Sequence, residues 1–542
     1  MSGPTLAMPR ERGASFLYDA SMARALALTI VVSHAVLAWY LRSPGIVFGE
    51  DDATYLLLAR ELRHFSYREV QDIAAPIHAR FPPLYPLLLA VVGWPVGDRL
   101  DVLYALMACC SAATLLLFHD AARRAVGEQV ALAALVVTAF NPGMLWIGGN
   151  LMAEAPFTLL VTLALWALVR EDESPRYALL AGIAVYLAAL TRTAGVVFIP
   201  ALFAYWVARG RYRRAVWFGS VALVTVGGWL AWTFAAPDPG SRRLYIADIG
   251  ARGRDAGRSF LLEMLGRMPG RARLYLLRML PDALALAVVP GTRVDNVAWL
   301  VATLGFGAAG VGVLRRRWPA LVAFLAAYAA LLLVWRHATP RFLTPVTALL
   351  FTLLLAGCAW CGERWLPSVR RWVVPAIAAL LLAGALARDA RAVAAMRACD
   401  RSHPVDAPTC LSPDERESMR LAAWVRDSTP PTARLFTSKE RAFYWHTGRR
   451  TINEDRALRE HPDSLAAYLR AREVAYAIVA PVGVWQWLHN DLLARACRDF
   501  DVVHSVSDRA MVLHLRAPGE GDDGGASCRA LAPNRVANPR RP

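Results

Sequence analysis

The 542-residue sequence lacks the short motifs with which many enzymes bind nucleotides or activate a hydrolytic nucleophile. It contains no Walker loop, no Gly-x-Gly-x-x-Gly following a strand, no Gly-x-Ser-x-Gly and no His-Glu-x-x-His. A function that requires a soluble nucleotide, including a nucleotide-linked donor, is therefore not expected.

Lysine is also almost absent: Lys439 is the only one, and all other basic side chains apart from histidine are arginine. This skew is typical of an organism whose proteins use arginine in place of lysine, so a single arginine is weak evidence for a site. The formal net charge of +17 would suggest nucleic acid, but 56% of the residues are hydrophobic. In membrane proteins a basic excess collects in cytoplasmic loops and beside anionic headgroups, so we expect membrane lipids and no nucleic acid as partners.

Long apolar runs are what the sequence has instead. Many are long enough to cross a hydrocarbon core of about 30 Å, which predicts a polytopic membrane protein. Residues 1–22 do not resemble a cleavable signal peptide, so the first run is expected to remain as an anchor. The candidate spans lie near residues 24–41, 101–119, 130–148, 153–169, 215–235, 296–314, 319–335, 342–361 and 372–388.

Two apolar stretches do not fit a simple crossing. Residues 84–96 are short and bounded by prolines, which predicts an interfacial or re-entrant helix. Tyr177–Ala208 would measure about 48 Å as one helix, which is short for two crossings, and Thr191–Gly195 interrupts it. We predict two shortened helices with Arg192 at the bend between them. Alternatively, Arg192 is a snorkelling or salt-bridged arginine without a chemical role.

Arginine clusters indicate the orientation of the chain. Those at 123–124, 209–214, 315–317 and 370–371 share one side if residues 84–96 do not cross. The positive-inside rule makes that side cytoplasmic. The outer side then carries the first loop 42–83, Glu154, Arg192, the long loop 236–295 and the segment Arg336–Arg341.

The composition changes at about residue 389, where the apolar runs end. Helical patterns then alternate with strand-like runs, which predicts a small α/β domain on the outer face, residues 389–517. The tail 518–542 is rich in Gly, Asp and Pro and is expected to be disordered. The helical patterns are 414–427 and 463–472, and the strand-like runs are 434–437, 474–480, 500–506 and 510–515.

The eight cysteines divide evenly between apolar runs and the polar C-terminal third. If that third faces an oxidising compartment, its cysteines can form disulfides, and the pairs Cys399–Cys410 and Cys497–Cys528 close the shortest loops. Cys358 and Cys361 form a Cys-x-x-Cys, but within a spanning segment we interpret them as packing residues.

Three acids, Glu50 to Asp52, lie just outside the first apolar run. A carboxylate at a membrane boundary can act as a general base on a hydroxyl. Alternatively, Asp51 or Asp52 caps the helix that follows. Because Glu154 and several arginines are predicted on the same side, the set suits a lipid-phosphate leaving group. The base would take a proton from the acceptor while guanidinium groups neutralise the phosphate.

Five motifs, taken in order and spacing, resemble the GT-C glycosyltransferases that use polyprenyl-phosphate sugars. The resemblance is closest to the protein O-mannosyltransferase and aminoarabinose lipid A transferase superfamily, which is glycosyltransferase family 39-like, and it covers most of residues 20–390. The motifs are Asp51-Asp52-x-x-Tyr55, Arg80-Phe81-Pro82-Pro83-Leu84-Tyr85, Leu151-Met152-Ala153-Glu154, Thr191-Arg192-Thr193-Ala194-Gly195 and Pro340-Arg341-Phe342-Leu343-Thr344-Pro345.

The resemblance implies Asp51 as the catalytic base, with Asp52 and Glu154 as further acids of the site. It also implies Arg192 and Arg341 as ligands of the lipid phosphate. The sequence departs from the family in having Asp rather than Glu at 52, and the basic residue usual just before Pro-Pro is displaced to Arg80. The other candidate substrate-binding residues are Tyr55 and Tyr85, which could equally be interface aromatics, and Arg336 and His337.

These observations predict an α-helical polytopic membrane protein of GT-C type. Its catalytic domain, residues 1–388, would contain about 11–13 membrane helices, and a small α/β domain would follow outside the membrane. We expect an inverting glycosyltransferase in the plasma (inner) membrane, with its active site and C-terminal domain extracytoplasmic. The donor would be a polyprenyl-phosphate-linked sugar, and the acceptor a lipid, a protein or an envelope glycan.

Rival interpretations are a transporter or flippase of lipid-linked sugars and a non-catalytic envelope assembly protein. No cofactor is expected to be required. The alternative is a divalent metal held by Glu50, Asp72 and His78, although their spacing is not diagnostic of a metal site.

Overall fold

The computed structural model describes residues 20–49, 51–235, 260–284, 293–335, 337–406, 409–453, 464–483, 486–518, 520 and 525–534. The first part of the chain is helical. Its α-helices are α1 Ala20–Tyr40, α2 Asp52–Leu62, α3 Leu84–Gly93, α4 Leu100–Val126, α5 Glu128–Ala139, α6 Pro142–Gly148, α7 Glu154–Val169, α8 Pro175–Thr191, α9 Phe198–Ala208, α10 Tyr212–Ala235, α11 Phe260–Leu274, α12 Leu280–Ala283, α13 Arg293–Arg317, α14 Pro319–Val334, α15 Thr347–Trp365 and α16 Arg370–Arg397.

Each predicted apolar run coincides with one of these helices or with a bent pair. Among the described residues, five helices are long and apolar enough to cross a membrane, or up to six if the pair α5–α6, bent by 64°, is one span. Five more apolar helices have only 10–17 residues. The predicted number of about 11–13 crossings therefore includes helices that are too short to pass this test.

The interruption predicted within Tyr177–Ala208 is confirmed. Helix α8 ends at Thr191, a 3₁₀ turn covers Thr193–Val197, and α9 begins at Phe198. Residues 84–96 form α3 and a 3₁₀ turn, Trp94–Val96, as expected of a segment too short to span. Both irregular regions lie next to the first loop or the site described below.

The main core lies between helices whose facing positions are rich in alanine. Helices α4, α7 and α8 contribute fully buried residues such as Ala122, Ala164 and Ala184. Small side chains let helix backbones approach closely in a lipid environment, where packing rather than hydrophobicity drives association. The same core continues into α14 and α15 through Phe324 and Phe351. The alanine faces thus hold together the helices that carry the site at their ends.

The C-terminal part is a small α/β unit with a five-stranded sheet, whose strands are β1 Leu435–Phe436, β2 Thr451–Ile452, β3 Tyr476–Val479, β4 Phe500–Ser507 and β5 Ala510–Leu515. Their order in the sheet is β2-β1-β3-β5-β4. Strands β2, β1 and β3 are parallel, while β3, β5 and β4 pair antiparallel. All four predicted strand-like runs are strands. The helices of this part are α17 Pro413–Ser428, α18 Glu440–Thr447, α19 Leu465–Arg470, α20 Gln486–Arg495 and α21 Ala526–Leu531.

Both predicted disulfides, Cys399–Cys410 and Cys497–Cys528, are present. Residues 525–534, which fall in the tail expected to be disordered, instead form α21 and a short 3₁₀ turn, because Cys528 ties this segment to the domain. The expected domain boundary at residue 388 lies within α16, which continues to Arg397. Cys358 and Cys361 are buried free thiols of α15, in agreement with a packing role.

The first loop connects the two parts of the molecule. Its residue Asp72 forms a parallel bridge with Thr451 at the edge of the sheet, and the Thr451 amide donates to the carbonyl oxygen of Gln71 at 2.8 Å. Phe48, which is fully buried, packs edge-on against Phe443 of α18 with ring centroids 4.8 Å apart. The loop that carries the predicted base is therefore packed against the C-terminal domain.

Candidate active site

Asp51 lies at the N-cap position of α2, but its side chain makes no capping hydrogen bond. Instead, its Oδ2 accepts a hydrogen bond from Nη2 of Arg341 at 3.2 Å. The side chain is 40% exposed, so a substrate can reach the carboxylate. Of the two interpretations of Asp51, the geometry therefore favours a site residue over a helix cap.

Asp52 has a different environment. It is only 3% exposed, and its carboxylate accepts hydrogen bonds from the backbone amides of Val47, at 3.2 Å, and Ala53, at 2.8 Å. Because anions are favoured at a helix N-terminus, this arrangement stabilises the start of α2 and the loop before it. The position of Asp52 thus supports a structural role rather than contact with substrate.

Glu154 is the first residue of α7 and is completely buried. Its Oε1 is in ion-pair contact with Nη1 of Arg192 and lies 3.1 Å from Nε of Arg341. A buried carboxylate is tolerated only where cations compensate the loss of its hydration. Glu154 therefore holds the two arginines in place, and its burial keeps it from acting on an acceptor.

Arg192 occupies the break between α8 and α9. Its backbone is extended, with φ −143° and ψ 135°, which turns the side chain out of the helical path. Its guanidinium lies 5.9 Å from the Phe157 ring centroid and 5.8 Å from that of Phe342, and the side chain is 15% exposed. A planar guanidinium between aromatic faces has a fixed orientation as well as a charge.

Gly195 makes this break possible. A Cβ at this position would lie 2.6–2.7 Å from backbone atoms of Ala188 and Ala189. The 3₁₀ turn after Arg192 therefore packs directly against the last turn of α8, at a separation that only glycine permits.

Arg341 lies in the 3₁₀ turn Pro340–Val346 that precedes α15. One guanidinium contacts both carboxylates, Asp51 through Nη2 and Glu154 through Nε, and the side chain is 25% exposed. Asp51, Arg341, Glu154 and Arg192 thus form a continuous row of alternating charge, contributed by four segments distant along the chain. We call this row the charge chain.

Positive charges around Asp51 determine the pKa of its carboxyl. The partial loss of hydration around Asp51 would raise the pKa of this carboxyl, but the positive charges of Arg341, Arg80 and Lys439 outweigh it and hold the pKa below its ordinary value. The displaced basic residue Arg80 therefore still acts on the site, and its guanidinium lies 5.4 Å from the Phe81 ring centroid.

The two predicted tyrosines are buried. Tyr55 packs against Phe81, with ring centroids 5.0 Å apart, and against Tyr85, with centroids 4.7 Å apart. The Tyr85 hydroxyl is 3.6 Å from the sulfur of Met107, inside the protein. These positions indicate packing beneath the loop, although Tyr55 is close enough for the charges of Asp51 to act on its hydroxyl.

The remaining predicted residues lie near Arg341 in sequence. His337 is half-buried in the segment that leads into the 3₁₀ turn. Arg336 lies outside the described residues, as does Glu50 of the acidic stretch.

Tyr328 of α14 was not predicted from the sequence. Its hydroxyl donates to the carbonyl oxygen of Phe342 at 2.9 Å, which holds the turn carrying Arg341. Its ring lies parallel to that of Phe198, with centroids 5.8 Å apart. Because Tyr328 lies within an apolar span, nothing in the local sequence distinguishes it from a core aromatic.

His78 is fully buried in the first loop and uses both ring nitrogens. The amide of Phe81 donates to Nε2 at 2.8 Å, so the proton is on Nδ1, which donates to Glu69 at 3.0 Å. Burial lowers the pKa of His78 and favours this neutral form. His78 therefore has no nitrogen available for a metal, and no cluster of three candidate metal ligands occurs among the described residues.

A cavity of about 250 Å³ adjoins the charge chain. Arg341 forms part of its wall, beside Trp146 and the prolines Pro142 and Pro340. Asp282 and Arg388 also line it, and Arg388 donates to Asp282 Oδ1 at 2.9 Å. The site thus has a recess next to the residue that joins the two carboxylates.

A family model described as dolichyl-phosphate-mannose-protein mannosyltransferase matches residues 80–238. This segment includes Arg80, Glu154 and Arg192, but neither Asp51 nor Arg341. Among curated proteins, none matches the chain by sequence.

Solved structures are similar over nearly the whole chain. ArnT from Cupriavidus metallidurans in the apo state is 15% identical with a TM-score of 0.58, over 91% of this chain and 98% of that one. The same protein bound to undecaprenyl phosphate is also 15% identical with a TM-score of 0.58, over 92% of this chain and 99% of that one. The Archaeoglobus fulgidus oligosaccharyltransferase in complex with Zn and sulfate is 15% identical with a TM-score of 0.54, over 83% of this chain and 67% of that one. The chain therefore has the GT-C glycosyltransferase fold.

Proposed function

We propose that the protein is an integral membrane glycosyltransferase that moves a sugar from a polyprenyl-phosphate donor to an acceptor outside the cytoplasm. The observation that carries this proposal is the charge chain, in which the accessible carboxylate of Asp51 contacts Arg341, and the buried Glu154 pairs with both Arg341 and Arg192. The similarity to a structure described as bound to undecaprenyl phosphate supports a lipid-borne phosphate as the ligand.

The reaction is a single displacement at the anomeric carbon of the donor sugar. Asp51 takes the proton from an acceptor hydroxyl as the hydroxyl oxygen forms a bond to this carbon. The bond between the carbon and the phosphate oxygen breaks, and the phosphate leaves with the electron pair. Arg341 and Arg192 neutralise the charge that develops on the phosphate. One displacement inverts the configuration at the anomeric carbon.

Binding of the donor would also make Asp51 a better base. Without donor, Arg341 is shared between Asp51 and Glu154, and its charge lowers the pKa of Asp51. A donor phosphate competes with Asp51 for this guanidinium and adds negative charge nearby, and both changes raise the pKa of the carboxyl. Glu154 keeps Arg341 in place during this exchange.

We further propose that the site and the C-terminal domain lie outside the plasma (inner) membrane. The two disulfides support this location, since such bonds persist in oxidising compartments. In this proposal residues 1–388 form the catalytic domain, and neutralisation of the phosphate is assigned to arginines, without a cofactor. The acceptor would be a lipid such as lipid A, a protein or an envelope glycan.

Transfer from a radiolabelled polyprenyl-phosphate sugar to membrane extract tests the proposal. The purified protein should transfer label, and Asp51→Asn should lower the rate about 10²–10⁴-fold, the usual effect of removing a general base, while donor binding persists. The matched control is Asp101→Asn, which removes an exposed carboxylate paired with Arg99 and should keep full activity.

Three results would contradict this function. Movement of the labelled lipid across the membrane without covalent transfer would favour a flippase. Full activity of Asp51→Asn would remove the proposed base. Absence of both transfer and donor binding in the wild-type protein would favour a non-catalytic assembly role.

A further inference from the structure

The only lysine of the sequence, Lys439, reaches the loop that carries Asp51. It immediately precedes α18 of the C-terminal domain, and its Nζ donates to the carbonyl oxygen of Gly49 at 3.4 Å. Gly49 is two residues before Asp51, and consecutive Cα atoms are about 3.8 Å apart. The ammonium group therefore lies at the edge of the charge chain, although it belongs to a different domain.

The contacts around Gly49 fix this edge of the site. The amides of Gly49 and Phe48 donate to the carboxylate of Glu415 at 2.7 and 2.8 Å. Two charge-assisted hydrogen bonds to one carboxylate hold the backbone in a defined place. Glu415 belongs to α17, so the C-terminal domain binds the loop through two charged side chains, Glu415 and Lys439.

The aliphatic part of the Lys439 side chain packs against the backbone at Gly483. At Gly483 the backbone has φ +117°, a conformation that favours glycine, and a Cβ there would lie 3.2 Å from Cε of Lys439. The lysine thus runs past a backbone segment that leaves room for it. A side chain with this support loses less conformational entropy when its end group binds a ligand.

The charges of the site leave a role for one more cation. Arg341 and Arg192 are both paired with Glu154. Within the described residues, the Lys439 ammonium donates one long hydrogen bond to a neutral carbonyl, and the Glu415 carboxylate is near enough to interact with its charge. An ammonium has three donors, so it can also bind a phosphate. The charge of Lys439 is also among those that lower the pKa of Asp51, so the ammonium is close enough to affect this carboxylate.

We propose that Lys439 is a ligand of the lipid-borne phosphate and completes the active site from the C-terminal domain. The inference rests on the proposed function and deepens it, because it names a phosphate-binding residue outside the membrane helices. Lysine binds phosphate as a point charge with rotatable donors, which suits a contact added to those of the fixed guanidinium groups.

The single lysine allows a direct test that does not depend on activity. Reductive methylation modifies the Lys439 amine, and peptide mass spectrometry follows its rate in the full-length detergent-solubilised protein. Undecaprenyl phosphate should slow this rate several-fold, whereas uncharged undecaprenol, the matched lipid, should not. The α-amino group of the same protein is the internal control and should react at one rate throughout.

Kinetics of two variants give the second readout. Lys439→Gln should raise the KM for the donor roughly tenfold or more with a smaller change in kcat, because a charged hydrogen bond to the phosphate is lost. Lys439→Arg should recover most of this loss. A merely structural lysine would instead change kcat and thermal stability without a selective change in KM.

The inference is overturned if neither lipid protects Lys439, if both protect it equally, or if Lys439→Gln leaves the donor KM unchanged. Each of these results can occur while wild-type transfer and the Asp51→Asn defect remain. The inference and the proposed function therefore fail separately.

Discussion

At the scale of single residues, the site depends on the shape of Arg341. Its Nη2 lies 3.2 Å from Asp51 and its Nε 3.1 Å from Glu154, so one planar group joins an exposed carboxylate to a buried one. A lysine could neutralise either acid but could not make both contacts in fixed directions. Arg341 therefore links the position of the base to the buried part of the site.

We predict that Arg341→Gln shifts the pH dependence of transfer. In the wild type the pKa of Asp51 lies below its ordinary value, so Asp51 stays ionised and kcat/KM decreases only when the pH falls below that range. Without Arg341 the pKa rises, and the acid limb should move to higher pH. The plateau should also fall about 10²–10³-fold, as for other donors to a developing anion.

The matched control for this shift is Arg99→Gln, since Arg99 pairs with Asp101 on an exposed surface. This variant should keep the wild-type profile. An acid limb that stays in place in Arg341→Gln would show that a carboxylate other than Asp51 is the base.

The sequence predicted the residues of the charge chain better than their surroundings. Asp51, Glu154 and Arg192 could be singled out because ionisable side chains at the ends or breaks of apolar segments are costly without a partner. Lys439 and Glu415 could not, since their contacts with Gly49 span more than 360 residues and leave no local pattern. Their position depends on how the C-terminal domain packs.

At the scale of elements, the break between α8 and α9 places Arg192. The extended backbone at Arg192 and the close approach at Gly195 act together, because the 3₁₀ turn must pack on α8 for the arginine to reach Glu154. The apolar run with polar residues at its centre predicted the break. The direction of the arginine depends on packing between segments and could not be predicted.

Gly195→Ala should therefore damage both stability and activity. The new Cβ would lie 2.6–2.7 Å from the backbone of α8, so the turn must move and carry Arg192 away from Glu154. We expect a loss of about 1–3 kcal/mol of unfolding free energy, typical of overpacking, and a clear decrease in kcat. Thermal unfolding in detergent and the transfer assay measure the two effects.

Gly228→Ala in α10 is the control, because a Cβ there meets nothing within 4 Å. Alanine is the better helix former, so this variant should be neutral or more stable by about 0.5–1 kcal/mol. Equal behaviour of Gly195→Ala and Gly228→Ala would show that the close approach does not position Arg192.

The short elements of the C-terminal domain show a second limit of prediction. Strand β2 has two residues, Thr451 and Ile452, which is too short for an alternating pattern. It exists because β1 and the bridge to Asp72 lie on its two sides. Helix α21 likewise depends on a contact distant in sequence, the disulfide between Cys528 and Cys497.

At the scale of the whole molecule, the membrane part and the C-terminal domain share the loop that carries Asp51. Besides the contacts at Gly49, Arg441 of α18 donates to Glu69 at 2.7 Å, and Glu69 in turn accepts from His78. Both partners of the ion pair are mostly buried, at 17% and 12% exposure. Activity should therefore depend on the interface between the first loop and the C-terminal domain, although the Arg441–Glu69 pair itself does not bind substrate.

We predict that Arg441→Met destabilises the protein far more than Arg441→Met combined with Glu69→Gln. The single variant leaves the Glu69 carboxylate buried without its cation, which costs about 3–5 kcal/mol, whereas the double variant removes this buried charge as well. Glu440, which also pairs with Arg441 at 2.9 Å, loses its partner equally in both variants, so it does not affect the difference between them. The pKa of Glu69 is lowered well below its ordinary value, because its interactions with Arg441 and His78 outweigh the effect of burial. The stability that this pair contributes is therefore present above the pKa of an unfolded carboxyl and is lost as the pH falls through the folded value.

The exposed pair Arg509–Asp414 in the same domain provides the control, since its side chains are 55% and 44% exposed. Removing Arg509 should change the unfolding free energy by no more than about 1 kcal/mol.

If the C-terminal domain positions the base, Arg441→Met should also lower transfer at temperatures where the protein is still folded, and the double variant should recover part of the lost transfer. Wild-type transfer by folded Arg441→Met would mean that the loop holds Asp51 without help from the domain.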